Sequence, residues 1–197
     1  MKTNLHMNKI LLNPFEKFTE TQLFVAGLLL TIGGSLLAFV LECRYDGVIA
    51  MHVAPNAPVT TAFIDNVINT VSMFITLYLL GIIINKKTRA VDVLNTVLIA
   101  RSPIYLTTLG NIDGFFTGIT PKPDANPFDI HLSPVDIALI FVFSLFAIAL
   151  LIWFAVLLYN GFKTATNLKS TIHKVFFVIA IILAEALSTL LMYTINY

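Results

Sequence analysis

Long apolar stretches separated by short polar loops dominate the pattern of this 197-residue chain. Five of them are long enough to cross the hydrocarbon core of a bilayer, which is about 30 Å thick. Each is predicted to be a helix, because a lipid-exposed segment must satisfy its own backbone hydrogen bonds. The predicted spans cover about residues 22–41, 63–84, 91–110, 135–159 and 175–195. The pattern therefore predicts an all-α integral membrane protein, a five-helix transmembrane bundle over residues 22–197.

Residues 1–21, the N-terminal segment, precede the first predicted span. They begin with polar residues and then carry LLNPFEKF from Leu11 to Phe18. Apolar side chains in a short, proline-containing stretch beside a span are typical of a segment that lies on the membrane surface. We therefore expect the N-terminal segment to be an interfacial anchor.

The third predicted span contains an arginine, Arg101, halfway along it. A charged side chain near the bilayer centre costs from about 3 to more than 10 kcal/mol, so it usually faces the bundle interior and finds a partner. Glu185 in the fifth span has a matching depth, about 15 Å from the start of its span at 1.5 Å per residue. The sequence therefore predicts an Arg101–Glu185 pair near the midplane, acting as a structural clamp or as a proton or ion relay. Pro103 removes a backbone hydrogen bond, so it predicts a helix break beside the charge.

The second predicted span carries a stripe of polar side chains. Asp65, Asn69, Ser72 and Thr76 are spaced by four, three and four residues, which places them on one face of a helix. We expect this stripe to face protein. In a transporter it would line a polar path.

Lysine and arginine are distributed unevenly between the predicted loops. The N-terminal segment and the loops at 85–90 and 160–174 hold nine of the twelve basic residues, whereas the opposite loops hold only Arg44 and Lys122. By the positive-inside rule the N-terminus is cytoplasmic and the C-terminus outside. The basic residues of the two cytoplasmic loops are Lys86, Lys87, Arg89, Lys163, Lys169 and Lys174.

Composition excludes several classes of protein. With 57% hydrophobic and 12% charged residues, the chain has too little polar surface for a soluble domain, and a net charge of +1 provides no field for nucleic acid. A single cysteine and four scattered histidines predict neither a disulfide nor a metal centre. No spacing of a hydrolase, metalloprotease or phosphate-binding motif occurs, so we predict a protein that is not an enzyme and needs no cofactor. The proline-rich stretch at 111–134 is expected to fold over the bundle.

Three stretches resemble the bacterial branch of the Yip (Ypt/Rab-interacting) family of membrane proteins: LLNPFEKF, the connector YNGFKTATNLKS and the last span VFFVIAIILAEALSTLL. The resemblance extends to the predicted topology and covers almost the whole chain. It implies a non-enzymatic helical membrane protein, of a kind that in eukaryotes assists vesicle traffic and membrane shaping. Eukaryotic members carry an Asp-Leu-Tyr-Gly-Pro-like stretch before the first span, where this chain reads Thr19-Glu20-Thr21-Gln22. The resemblance therefore does not carry GTPase binding with it.

Two functions are consistent with these patterns. The first is a multi-pass protein of a bacterial inner membrane that organises lipid or another membrane protein through its cytoplasmic face. Each basic residue there would contribute about 1 kcal/mol of attraction to anionic lipid headgroups. The alternative is a small ion- or proton-coupled transporter or channel that uses the Arg101–Glu185 pair. The oligomeric state is left open by the sequence.

Overall fold

The computed structural model describes residues 10–119 and 132–195. In chain order the helices are α1 (Glu20–Val40), α2 (Val59–Ile84), α3 (Ala90–Ala100), α4 (Ser102–Tyr105), α5 (Phe115–Ile119), α6 (Pro134–Thr166) and α7 (Thr171–Ile195). Helices α1, α2, α6 and α7 are long and apolar enough to cross a membrane. The chain is therefore an all-α, multi-pass membrane protein, as the apolar pattern predicts.

The predicted third span, 91–110, is not one continuous helix. Its first part is α3, whose 11 residues reach only about 16 Å at 1.5 Å per residue. A break at Arg101 follows, then α4 and a 3-10 stretch over Leu106–Gly114. Pro103 lies in the first turn of α4 and has no N–H for the Ile99 carbonyl, which accepts a hydrogen bond from Ser102 Oγ at 2.8 Å instead. The proline thus divides the segment at the arginine.

This broken segment nevertheless runs alongside α1 from end to end. Near its start, Asn95 Nδ2 donates to the carbonyl of Glu20, the first residue of α1. Near its finish, Asn111 Nδ2 donates to the carbonyl of Leu41, just past the end of α1. The segment therefore matches the 21 residues of α1 in height.

Helix α3 lies at the centre of the bundle, between α1, α2 and α6. Its residues Val93, Val97 and Ala100 have no exposed surface. Helix α7 packs mainly against α2. The outward faces of α1, α6 and α7 are lined with exposed leucine, isoleucine, valine and phenylalanine, which is the surface that lipid requires.

The loop between α1 and α2, residues 41–58, folds inward. It contains a short antiparallel pair of strands, β1 (Cys43–Arg44) and β2 (His52–Val53), with Cys43 opposite Val53. Tyr45 and Val48 between them are fully buried, and Tyr45 Oη donates to the Gly34 carbonyl of α1 at 3.1 Å. The loop is therefore part of the core.

Residues 10–18 of the N-terminal segment lie against α6. Trp153 Nε1 donates to the Leu11 carbonyl at 2.9 Å, and Asn160 Nδ2 donates to the Leu12 carbonyl at 2.8 Å. The side chains of Leu11 and Leu12 are exposed. Exposed leucines are compatible with the interfacial anchor, which stays a prediction. Of the stretch at 111–134 that is expected to fold over the bundle, residues 120–131 lie outside the described residues.

Candidate functional site

Arg101 is the largest fully buried side chain in the described part of the chain. Its Nη1 donates to the carbonyl of Asn66 and to Thr70 Oγ1, both on α2 and both at 3.2 Å. The guanidinium carbon lies 5.5 Å from the centre of the Tyr105 ring, within the range of a cation–π contact. Nε and Nη2 have no hydrogen-bond partner within residues 10–119 and 132–195. Arg101 is thus stabilised by neutral groups and keeps one edge of its guanidinium unused.

The predicted ion pair between Arg101 and Glu185 is wrong. Glu185 Oε2 accepts a hydrogen bond from the backbone N–H of Ile49 at 3.1 Å, and the free edge of Arg101 points to no carboxylate among the described residues. The physical reason is that the two helices are not neighbours in the bundle. Helix α7 packs on α2, whereas α3 lies between α1, α2 and α6. Equal depth in the membrane did not make the two helices neighbours.

Glu185 instead attaches α7 to the inward-folded loop. A Cβ atom on Gly47 would lie 2.0 Å from Glu185 Oε1, so a side chain at this position would require the carboxylate to move. Thr189 Oγ1, one turn further along α7, donates to the Asp46 carbonyl at 3.4 Å. Glu185 is therefore a positioning residue for the loop.

The polar stripe of α2 lies inside the protein, as predicted, but its members do not act together. Asp65, Asn69 and Ser72 are buried, and Thr76 is half-buried. Asn69 Nδ2 donates to the Tyr45 carbonyl at 2.9 Å, which ties the loop to α2. Thr76 Oγ1 donates to carbonyls of its own helix, and Ser72 Oγ has no hydrogen-bond partner among the described residues. Only part of the stripe therefore holds the loop to α2.

Asp65 forms the ion pair that the sequence analysis missed. Arg44 Nη2 lies 2.8 Å from Asp65 Oδ1, and Arg44 Nε lies 3.1 Å from Oδ2, so the pair is bidentate. The Asp65 side chain is 0% exposed and that of Arg44 is 22% exposed. A carboxylate inside a predicted span, with an arginine in the loop at the same end, was the signal available in the sequence.

Several buried polar atoms near the middle of α2 remain unsatisfied. Asn66 Oδ1, Asn69 Oδ1 and Ser72 Oγ have no hydrogen-bond partner in the described ranges, and neither do two nitrogens of Arg101. Each such atom costs about 1–3 kcal/mol. Unpaired donors and acceptors in one region are the setting in which proteins hold internal water or a small polar ligand.

The six loop lysines and arginines lie at one end of the bundle, called the basic end here. Lys86, Lys87, Arg89, Lys163, Lys169 and Lys174 are all exposed. Asn85 Nδ2 donates to the Thr166 carbonyl at 3.4 Å, which joins the α2–α3 turn to the α6–α7 turn. The side chain of Arg89 is paired with Glu20, whose hydrogen bond raises the pKa of that guanidinium.

Cys43 is a buried thiol of the inward-folded loop. Burial, assisted by the charge of Glu42, raises its pKa to about 11. The thiol is therefore protonated at neutral pH and a poor nucleophile.

Comparisons with protein-family models, with curated proteins and with solved structures find no match to this chain. The resemblance to the Yip family therefore rests on the sequence stretches quoted above.

Proposed function

We propose that this chain is a non-enzymatic, five-span protein that organises membrane lipid or a partner protein through a cytoplasmic face, as the Yip resemblance implies. The observation that carries the proposal is the basic end. It gathers six exposed cations at one level of the bundle, from the α2–α3 turn and from the α6–α7 turn with the helix ends on either side of it. Such a surface attracts anionic lipid headgroups by about 1 kcal/mol per lysine or arginine.

Five crossings are supported by the broken segment from α3 to Leu106–Gly114. Asn95 and Asn111 fix its two ends to the two ends of α1, so it covers the height of a helix that is itself long enough to span. Irregular backbone at membrane depth is tolerated where protein surrounds it, and α1, α2 and α6 surround α3.

The orientation follows from placing the basic end in the cytoplasm. Reporters fused after residues 88 and 168 should then report cytoplasm, and reporters after 55, 125 and 197 the outside. A reversed result at either basic turn would contradict the cytoplasmic face.

Anionic lipid at the basic end can be measured directly. The protein is extracted with its surrounding lipid into polymer nanodiscs, and the anionic fraction of that lipid is compared with the bulk membrane. We expect enrichment that falls when Lys86, Lys87, Lys163, Lys169 and Lys174 are replaced by glutamine. Arg89 is left intact because its side chain forms an ion pair with Glu20, and replacing it would break that contact. Lys122→Gln, in the opposite loop, is the control, and an enrichment that does not change in the five-lysine variant would contradict the proposal.

A transporter is the second candidate, favoured by the unpaired polar atoms around Arg101. The relay that the sequence predicts requires Glu185 beside Arg101, and Glu185 is bound to Ile49 instead. The appropriate assay is proton or cation flux in liposomes with Arg101→Gln as the test variant. Flux that disappears in a folded Arg101→Gln protein would favour transport over the lipid-organising function.

A further inference from the structure

A polar cavity of about 270 Å³ opens where the N-terminal segment, α1, α3 and α6 meet at the basic end. Its polar lining comes from six residues: Glu20, Arg89, Asp92, Asn95, Thr96 and Thr164. Phe15 and Phe18 of the N-terminal segment form an apolar wall. The cavity therefore lies beneath the segment that anchors the chain to the membrane surface.

Asn95 joins the two helices that carry the charged residues of this lining. The residue is 2% exposed, and its Nδ2 donates to the Glu20 carbonyl at 3.0 Å. That bond holds the start of α1 beside α3, so Glu20 and Asp92 line the same cavity.

The charges of the lining favour a group that carries both signs. Two carboxylates, Glu20 and Asp92, stand against one guanidinium, Arg89, so the lining has a net charge of −1. Arg89 lies close enough to Asp92 for the carboxylate to raise the pKa of the guanidinium. An anionic headgroup would be repelled by the excess carboxylate, whereas a headgroup with an ammonium and a phosphate meets opposite charges at both ends.

A second cavity of about 260 Å³ continues from the first and is almost wholly apolar. The two share Phe18 and Leu23. The second reaches Ala26 and Ile99, about one helical turn beyond Leu23 and Asn95. A polar cavity at the surface with an apolar groove below it has the polarity profile of a phospholipid.

We propose that these two cavities bind one molecule of phosphatidylethanolamine. Its ammonium lies toward Asp92, its phosphate toward Arg89, and one acyl chain in the groove beside Ala26. Phosphatidylcholine fits less well, because its trimethylated ammonium has no N–H to donate. The inference rests on the proposed function only in that the basic end lies at a membrane surface.

The test is lipid retention by the purified, delipidated full chain in detergent. Equal amounts of phosphatidylethanolamine, phosphatidylcholine and phosphatidylglycerol are added, and bound lipid is counted by native mass spectrometry. We expect one phosphatidylethanolamine per chain, preferred by about tenfold over the other two, the factor that corresponds to one charge-assisted hydrogen bond. Equal retention of all three would overturn the proposal, and a preference for phosphatidylglycerol would overturn it in favour of an anion site.

Two variants assign the preference to the cavities. Asp92→Asn is isosteric and should remove most of the preference, with Glu16→Gln as the control, because Glu16 is an exposed carboxylate of the N-terminal segment that does not line the cavity. Ala26→Leu fills the groove and should lower retention without changing a polar group. Thermal unfolding confirms that each variant is folded. If Asp92→Asn behaves like Glu16→Gln, the amine does not bind here.

The five-lysine variant separates this inference from the proposed function. Its glutamines lie outside both cavities, so phosphatidylethanolamine retention should be unchanged while anionic enrichment falls. A failure of the lipid site and a failure of the basic surface therefore give different results.

Discussion

Two arginines beside α2, Arg44 and Arg101, are stabilised in different ways. Arg44 comes from the inward-folded loop and forms a bidentate pair with Asp65. Arg101 comes from the central segment and meets a backbone carbonyl at the very next residue of α2, Asn66. The first region, Arg44 with Asp65, is called the outer region here and is an ion pair. The second region, Arg101 with its neighbours, is called the middle region; it holds a cation among neutral dipoles, with two nitrogens unused. The comparison indicates that the outer region fixes the structure, whereas the middle region retains unused binding capacity.

The largest expected effect comes from breaking the outer pair. Arg44→Ala removes the bidentate ion-pair partner of the buried Asp65 carboxylate, so the free energy of unfolding should fall by about 3–5 kcal/mol. Thermal unfolding in detergent measures the loss. The Arg44→Ala/Asp65→Ala double variant should lose less than the sum of the single variants.

The cycle between Arg101→Ala and Glu185→Ala is the matched control. These two side chains have separate partners, so their effects should add to within about 0.5 kcal/mol. Strong coupling in that cycle would restore the pair predicted from sequence, and strict additivity between Arg44 and Asp65 would remove the contrast between the two regions.

The next effect concerns the contact between the loop and α7. Gly47→Ala forces the Glu185 carboxylate away from the backbone N–H of Ile49 and should destabilise the protein by about 1 kcal/mol, the contribution of one hydrogen bond. Glu185→Ala removes the obstructing group, so Gly47→Ala should cost almost nothing in the Glu185→Ala background. Gly33→Ala is the control, because a Cβ there meets nothing within 4 Å. If Gly47→Ala costs as much in the Glu185→Ala background as in the unchanged protein, the carboxylate does not lie beside the loop.

A smaller effect than that of Arg44→Ala is expected at the middle region. Arg101→Met loses hydrogen bonds to Asn66 and Thr70 but also removes the cost of burying a charge without a counter-charge. The two contributions oppose each other, so we expect a change of less than about 2 kcal/mol in detergent. A loss as large as that of Arg44→Ala would show that Arg101 has an ionic partner after all.

The apolar pattern predicted the long helices because the mean hydropathy of a segment depends only on the residues of that segment. Helix α1 begins at Glu20 and ends at Val40, close to the predicted span 22–41. Helix α6 continues to Thr166, beyond the predicted end at residue 159, because nothing in its polar last turns interrupts a helix. The break at Arg101 was also readable, since Pro103 is a local chemical cause.

Hydropathy did not predict which helices are neighbours in the bundle. Arg101 and Glu185 have similar depths, but depth says nothing about which helices touch, and α7 packs on α2. Loops are expected at the surface, yet Tyr45 and Val48 are fully buried. The pairing of Arg44 with Asp65 depends on that inward fold. The site therefore required the three-dimensional arrangement, even though each of its residues was visible in the sequence.

The smallest expected effect is the pH dependence of the outer region. Burial alone would raise the pKa of the Asp46 carboxyl, but the hydrogen bond and charge of His52, whose Nδ1 lies 3.0 Å from Asp46 Oδ2, outweigh burial and lower it. A lowered folded-state pKa stabilises the protein at pH values above the ordinary value of 3.8, and this contribution disappears as the pH falls through the lowered value. Both side chains are about half exposed, so the contribution should be below about 1 kcal/mol.

His52→Gln tests this dependence by removing the partner that lowers the pKa of Asp46. Melting temperatures of the two proteins in detergent should differ at pH 5 and converge as the pH falls below 3.8. The Arg44–Asp65 pair is present in both proteins and cancels from the difference. A difference between the melting temperatures that stays constant through this range would mean that His52 stabilises the loop by packing and not through its charge.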